Sequence, residues 1–217
     1  MRAANASLPI RDASAACCLF QTDAGVSFDS LSGYGVVYLS AITLAILPPD
    51  VRHRLLHWLG GFRRAGGLFA FDSNYRPRLW TSRAEAQAAV AAAWQVCDLG
   101  LPSVDDEIAL FGDRSSDEVL ARLRDWGVRN GALKCGAAGP RPMNPATPAG
   151  AGFAPAAMVI DTTAAGDSFN AGYLATVLTG ASDGAALHRG HAKASRVIGQ
   201  PGAIVPREVW DTKAGAG

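Results

Sequence analysis

Two periods of apolar spacing alternate along this chain, and each change of period marks an element. Tyr34-Gly35-Val36-Val37-Tyr38-Leu39-Ser40 is a β-branched and aromatic run that predicts a strand. Pro48-Pro49-Asp50 then opens a helix whose Val51, Leu55, Leu56 and Leu59 share one face. The Gly60-Gly61 step is expected to weaken that helix before Gly66-Gly67 ends it. Leu68-Phe69-Ala70-Phe71 reads as a buried strand with polar residues at its C-terminal end, and an Ala-rich helix follows from about Ser82 to Trp94. Gln95 to Leu99 predicts another strand. Ser103, through Asp106, is a candidate cap for the next helix, and Ser116 or Asp117 for the one after, which stops at Gly127. Ala132 to Cys135 resumes the sheet. Pro140 to Pro155, rich in Pro, Ala and Gly, predicts a loose exposed connection. Helices from Ala165 to Leu178 and from about Gly184 to Ile198 complete the pattern.

Strand, helix and strand at this spacing imply right-handed crossovers and an α/β fold: a mainly parallel, doubly wound sheet with helices on both faces. Ligands of such sheets gather beyond the C-terminal ends of the strands. Composition narrows the picture further. A chain of 217 residues with 49% hydrophobic content can bury one substantial core, so residues 1–217 are read as one domain. A net charge of +1 leaves no electrostatic footprint for nucleic acid and no basic stripe for a membrane surface, which points to small-molecule partners. Cys17, Cys18, Cys97 and Cys135 lack metal-type spacing, and a reducing cytoplasm is the expected location. No apolar run approaches a membrane span, and the N-terminus lacks the plan of a signal peptide.

The candidate chemistry concentrates at Asp161-Thr162-Thr163-Ala164-Ala165-Gly166-Asp167-Ser168-Phe169-Asn170-Ala171-Gly172, after the apolar run Ala156 to Ile160. Small residues where a helix begins let a phosphate approach backbone N–H groups that the helix leaves unpaired, and the helix dipole favours its charge. Ala164, Ala165 and Gly166 are the expected anion hole. Asp167 at its mouth would repel a bare phosphate, a placement that suits a base taking the proton from a hydroxyl that attacks phosphorus. A first-turn Asp can also merely complement the dipole; the small residues before Asp167 favour the base.

This stretch resembles the C-terminal signature of the ribokinase-like (PfkB) sugar kinases. The wider chain, from about Arg11 to Pro206, resembles their 2-keto-3-deoxygluconate kinase branch. The other segments that carry the likeness are Leu39 to Leu47, Phe71-Asp72-Ser73-Asn74-Tyr75-Arg76 on to Trp80, Leu101 to Gly112, and Pro201 to Pro206. The resemblance implies ATP and Mg2+ as cofactors and a sugar acid as substrate. It implies that Arg76 contacts the keto acid near the transferred phosphate, and a guanidinium suits either anion because it binds with two parallel hydrogen bonds. A surface salt bridge is the alternative for Arg76. Asn74 is implied on the nucleotide side. Lys134-Cys135-Gly136-Ala137-Ala138-Gly139 resembles the family's nucleotide loop, with Lys134, Gly136 and Gly139 as its binding residues; alone, it reads equally as an ordinary glycine turn. Glu107 matches a Glu that helps organise the divalent cation through water, though a solvated helical Glu reads as well. Arg11 resembles an Arg that binds the substrate carboxylate, with Pro9 where the family usually has Tyr. Asp161 and Thr162 are expected to shape the turn, Trp80 to pack, and His191 to lie at the surface.

Set against the family, the chain is expected to lack an N-terminal third: the opening strands, the Gly-rich sugar motif and the β-sheet lid through which full-length relatives pair into homo-oligomers. Residues 1–10 match nothing in it, and 207–217 form a tail. Two functions follow from the sequence: phosphorylation of 2-keto-3-deoxy-D-gluconate with Asp167 as general base, or a nucleotide-binding remnant or gene fragment without turnover.

Overall fold

Leu68–Asp72 forms β2, and its side chains divide between two faces as the pleat requires. Phe69 and Phe71 enter one hydrophobic cluster, while Ala70 and Asp72 occupy the opposite parity. The same parity runs through β1 (Val36–Ser40) and β4 (Asn130–Lys134): Val37 and Leu133 join the large cluster, whereas Ala132 joins a second, smaller one. This computed structural model describes residues 15–21, 25–148 and 152–206.

The strands β1, β2, β3 (Leu99–Gly100), β4 and β5 (Pro140–Pro142) lie side by side in that order. The first four are parallel and β5 is antiparallel to β4, with Ala132 opposite Pro142. Among the described residues β1 is an open edge.

The large cluster is built by α1 (Ala41–Ile46), α2 (Pro49–Arg64), α3 (Arg83–Gln95), α4 (Val104–Phe111) and α5 (Ser116–Asp125). α2 runs unbroken through Gly60-Gly61, because Val51, Leu55, Leu59 and Phe62 bury a continuous stripe that outweighs the glycine penalty. It ends where Gly66 takes φ +96°, and a Cβ on Gly67 would fall 2.3 Å from the Phe62 ring, so only glycine lets the chain turn back there. Trp94 meets Phe71 edge-on at 4.7 Å at the centre of this layer. α6 (Ala165–Val177) and α7 (Asp183–Val197) pack on each other and cover the smaller cluster of Leu101, Ala132, Phe169, Tyr173, Ala186 and Leu187.

Several boundaries differ from the sequence expectation. The segment expected as a strand from Gln95 is still helical at Gln95, and pairing starts only at Leu99; Asp98 instead accepts a hydrogen bond from the Phe69 amide and pairs with Arg63. Leu39 to Leu47 contains a strand end and a helix. Ser103 does not cap α4 with its side chain; its amide donates to Ser73 Oγ at 2.8 Å, which fastens α4 to the end of β2. Ser115, not Ser116 or Asp117, caps α5 by accepting from the Glu118 amide. No helix among the described residues is long and apolar enough to cross a membrane.

Candidate active site

The C-terminal ends of β1, β2 and β4 converge beneath the first turn of α6. Tyr38, Asp72 and Lys134 share one strand parity, so all three rise on the face that α6 covers. Lys134 Nζ donates to Asp72 Oδ1 at 2.9 Å and to Asn170 Oδ1 at 3.0 Å. Asn170 Nδ2 in turn donates to Asp72 Oδ2 at 2.8 Å and to Tyr38 Oη at 3.0 Å. Burial first, and the Asp72 charge next, push the Tyr38 phenol well above its usual range.

α6 begins at Ala165 after Ala164, which adopts a left-handed φ of 61°. The Ala165 amide turns back to Thr162 O at 3.2 Å, so the expected three-residue anion hole contracts. The first-turn amides of Gly166 and Asp167 have no side-chain cap. Asp161 organises the preceding loop, accepting from the Thr163 amide at 2.8 Å and from the Gly202 amide at 3.0 Å. The Asp167 side chain is exposed in the first turn of α6 and close enough to Tyr38 for its charge to raise that phenol.

Arg76 follows β2 in the same mouth. Its guanidinium is half exposed, donates to Tyr75 O at 3.0 Å and stands 3.8 Å from Asp106 Oδ1. Burial pushes the Asp106 carboxyl up, while a Tyr75 backbone hydrogen bond and the Arg76 charge pull it down. Asn74 holds an unusual φ of 22°.

Glu107 is corrected by the structure. It is fully buried and pairs with Arg122 Nη2 at 2.9 Å; Arg122 also bonds Asp113 and lies over the Phe111 and Trp126 rings. Burial pushes the Glu107 carboxyl up to about 7 against the pull of Arg122. Glu107 therefore stands inside the protein, where no hydrated cation reaches it, and its neighbour Asp106 is the α4 carboxylate that faces the site. Among the described residues no three His, Cys, Asp or Glu side chains stand together as a metal cage.

The glycine loop divides similarly. Around Gly136, with φ +54°, the position a Cβ would occupy is open space. At Gly139 a Cβ would fall 2.7 Å from the Phe153 ring, which lies between His188 and His191. Lys134 sends its ammonium inward to α6 and not along the loop. Trp80 packs as expected, under the Arg52 guanidinium at 4.8 Å. His191 Nε2 donates a hydrogen bond to Ala154 O, 2.7 Å away. Arg11 lies outside the described residues.

Sequence reading missed Tyr38, Asp106 and Asn170 as site neighbours. The signal for Tyr38 was its strand parity with Asp72 and Lys134, and for Asn170 its position one turn after Asp167.

Comparison with known proteins gives this arrangement a context. A profile described as pfkB family carbohydrate kinase matches residues 10–210. The 2-dehydro-3-deoxygluconokinase of Escherichia coli is 44% identical over 187 residues, covering 83% of this chain and 59% of that protein. The enzyme of the same description from Dickeya dadantii is 42% identical over 205 residues, covering 91% of this chain and 64% of that protein. Among solved structures, aminoimidazole riboside kinase from Salmonella enterica, complexed with aminoimidazole riboside and an ATP analogue, aligns with TM-score 0.66 at 26% identity over 80% of this chain and 61% of that one. The chain thus spans about six-tenths of the length of the relatives it matches. It belongs to the pfkB family of carbohydrate kinases and has the ribokinase-like fold.

Proposed function

We propose that this pfkB-family chain carries the phosphate-handling part of an ATP-dependent kinase that converts 2-keto-3-deoxy-D-gluconate to 2-keto-3-deoxy-6-phosphogluconate. The observation that carries the reading is the uncapped first turn of α6, with Asp167 in that turn and a mouth of parallel strands beneath it. The likeness to 2-dehydro-3-deoxygluconokinases supports the choice of sugar acid.

In this reading Asp167 accepts the proton of the acceptor hydroxyl as its oxygen attacks the terminal phosphorus, and ADP leaves. The amides of Gly166 and Asp167 point at the phosphoryl oxygens, where negative charge is concentrated. Arg76 binds the substrate carboxylate or the moving phosphoryl group, exchanging its 3.8 Å contact with Asp106 for a closer anion. Mg2+ would be held chiefly by the nucleotide phosphates, with few protein ligands, and would offset their charge. Asn74 and the open backbone at Gly136 border the nucleotide side.

A second reading, nucleotide binding without turnover, is favoured by the open edge of β1, where Tyr34 is 64% and Tyr38 41% exposed beside the site. ADP release by the purified chain with MgATP and the keto-deoxy acid separates the two. Turnover that falls roughly 10²- to 10⁴-fold in Asp167→Ala supports the base; turnover that survives the change removes it. No turnover in the parent chain, with ATP still raising the melting temperature, supports the binding reading.

A further inference from the structure

Asn170 commits both of its donors and its acceptor oxygen in one place. Its carbonyl oxygen accepts from Lys134, and the two hydrogens of its amide go to Asp72 and Tyr38. The four side chains come from β1, β2, β4 and α6, and none repeats an element. Asp72 and Asn170 are buried, the Lys134 side chain is 13% exposed, and Tyr38, 41% exposed, closes the set at its rim. The Asp72 and Lys134 charges cancel, so the set is neutral and each member has a partner, the condition under which a buried polar network fixes one arrangement.

Its position gives that rigidity a use. Asn170 is three residues after Asp167, one turn along the same helix, so fixing the Asn170 side chain to the sheet fixes the rotation of α6 about its axis. Lys134 Nζ comes within 3.8 Å of where a Cβ on Gly166 would stand, which places the ammonium directly under the uncapped turn. Tyr38 Oη also lies within the electrostatic reach of Asp167. Asp161 ties down the loop before the helix, but the helix end itself has no side-chain cap, and the left-handed backbone of Ala164 is one that alanine adopts at a cost.

We propose that Lys134, Asp72, Asn170 and Tyr38 are positioning residues for the first turn of α6, setting the direction of the Gly166 and Asp167 amides and of the Asp167 carboxylate. Lys134 is then an anchor under the phosphate site and not a ligand from the glycine loop. The proposal rests on the kinase reading only for what the turn is used for; the geometric claim stands by itself.

The test uses the full chain and two readouts. The first is the amide resonances of Gly166 and Asp167 in nucleotide-free protein, recorded for Asn170→Ala, Tyr38→Phe, Lys134→Met and Lys134→Arg, with melting temperatures measured in parallel. Asn170→Ala and Lys134→Met are expected to shift both resonances while those of α5 stay in place, and Lys134→Arg, which keeps the charge and the donors, is expected to restore them. The second is ADP affinity by calorimetry at a temperature where every variant is folded, with a loss of roughly tenfold in Asn170→Ala and twofold to threefold in Tyr38→Phe. Variants that melt earlier but leave the two resonances in place would overturn the proposal, as would ADP affinities equal to that of the parent chain. If the parent chain binds no ADP, shifted resonances still support positioning, and the nucleotide reading alone falls. If Asn170→Ala does not fold, Tyr38→Phe and the two Lys134 variants decide by the same resonances.

Discussion

The two faces of the sheet are built on opposite principles. On one, Phe69, Phe71, Leu55, Trp94 and Leu133 interlock under five helices. On the other, Ala132 is small enough for α6 and α7 to come close, and charged and amide groups stand beside them. Apolar packing is non-directional and tolerates modest change of shape, so it suits the face that holds the fold. A hydrogen-bonded network has fixed distances and directions, so it suits the face where a helix end is fastened to the strand ends. The division shows how a single strand such as β2 serves both: Phe71 supports the core while its neighbour Asp72 reaches the site.

The contrast can be broken first where it is strongest. Trp94→Ala removes the ring that meets Phe71 and is expected to cost about 3–5 kcal/mol, read as a lower denaturant midpoint. On the opposite face Asp72→Ala leaves the Lys134 ammonium without its counter-charge and is expected to cost about 3 kcal/mol. The double change with Lys134→Met should recover most of that loss, a coupling measured by a double-mutant cycle. Additive losses there would show that the ion pair contributes nothing as a pair.

Glu107 sharpens the comparison from inside the apolar face. Its folded-state pKa lies near 7, above the ordinary carboxyl value, so the folded protein holds a proton that the unfolded chain releases. Its contribution is fully present below the unfolded value near 4.5 and is lost as pH rises through about 7. Melting temperature is therefore expected to fall between pH 5 and about 8, and Glu107→Gln to flatten that part of the curve. A curve of unchanged slope in the variant would assign the dependence to other groups. The smallest effect concerns the helix end itself. Ala164→Gly relieves a left-handed alanine worth roughly 1–2 kcal/mol and adds backbone freedom to the unfolded chain, for a net gain of about 0.5 kcal/mol. A raised melting temperature checks it.

Much of this was legible in the sequence because it depends on neighbours along the chain. The stripe of Val51, Leu55 and Leu59 announced α2, and Ala164-Ala165-Gly166-Asp167 announced an exposed helix start. The errors fall where neighbours do not decide. The strand end at Ser40 was read correctly, but Ala41 to Leu47 is nearly all apolar, so its period does not announce the short helix α1. Ser115, Ser116 and Asp117 are all competent caps, and the choice among them depends on where the α4–α5 turn brings the chain. Asp106 and Glu107 are adjacent carboxylates about 100° apart around α4, and which one meets solvent follows from how α3 and α5 grip that helix. The sequence read Glu107 toward the site; packing turned it to Arg122.

By itself the sequence determined the periods of strand and helix, the two-faced parallel sheet and the small-residue helix start, since each is a property of a few consecutive residues. Only the tertiary structure decided that Lys134 is spent beneath α6, that Asp106 and not Glu107 faces Arg76, and that Tyr38, Asp72 and Asn170 meet. Asn170 is 132 residues from Tyr38 and 98 from Asp72, and no local pattern encodes a distance across the sheet. The energy of such contacts depends on burial and on the partner's charge, and both exist only once the strands have been brought side by side.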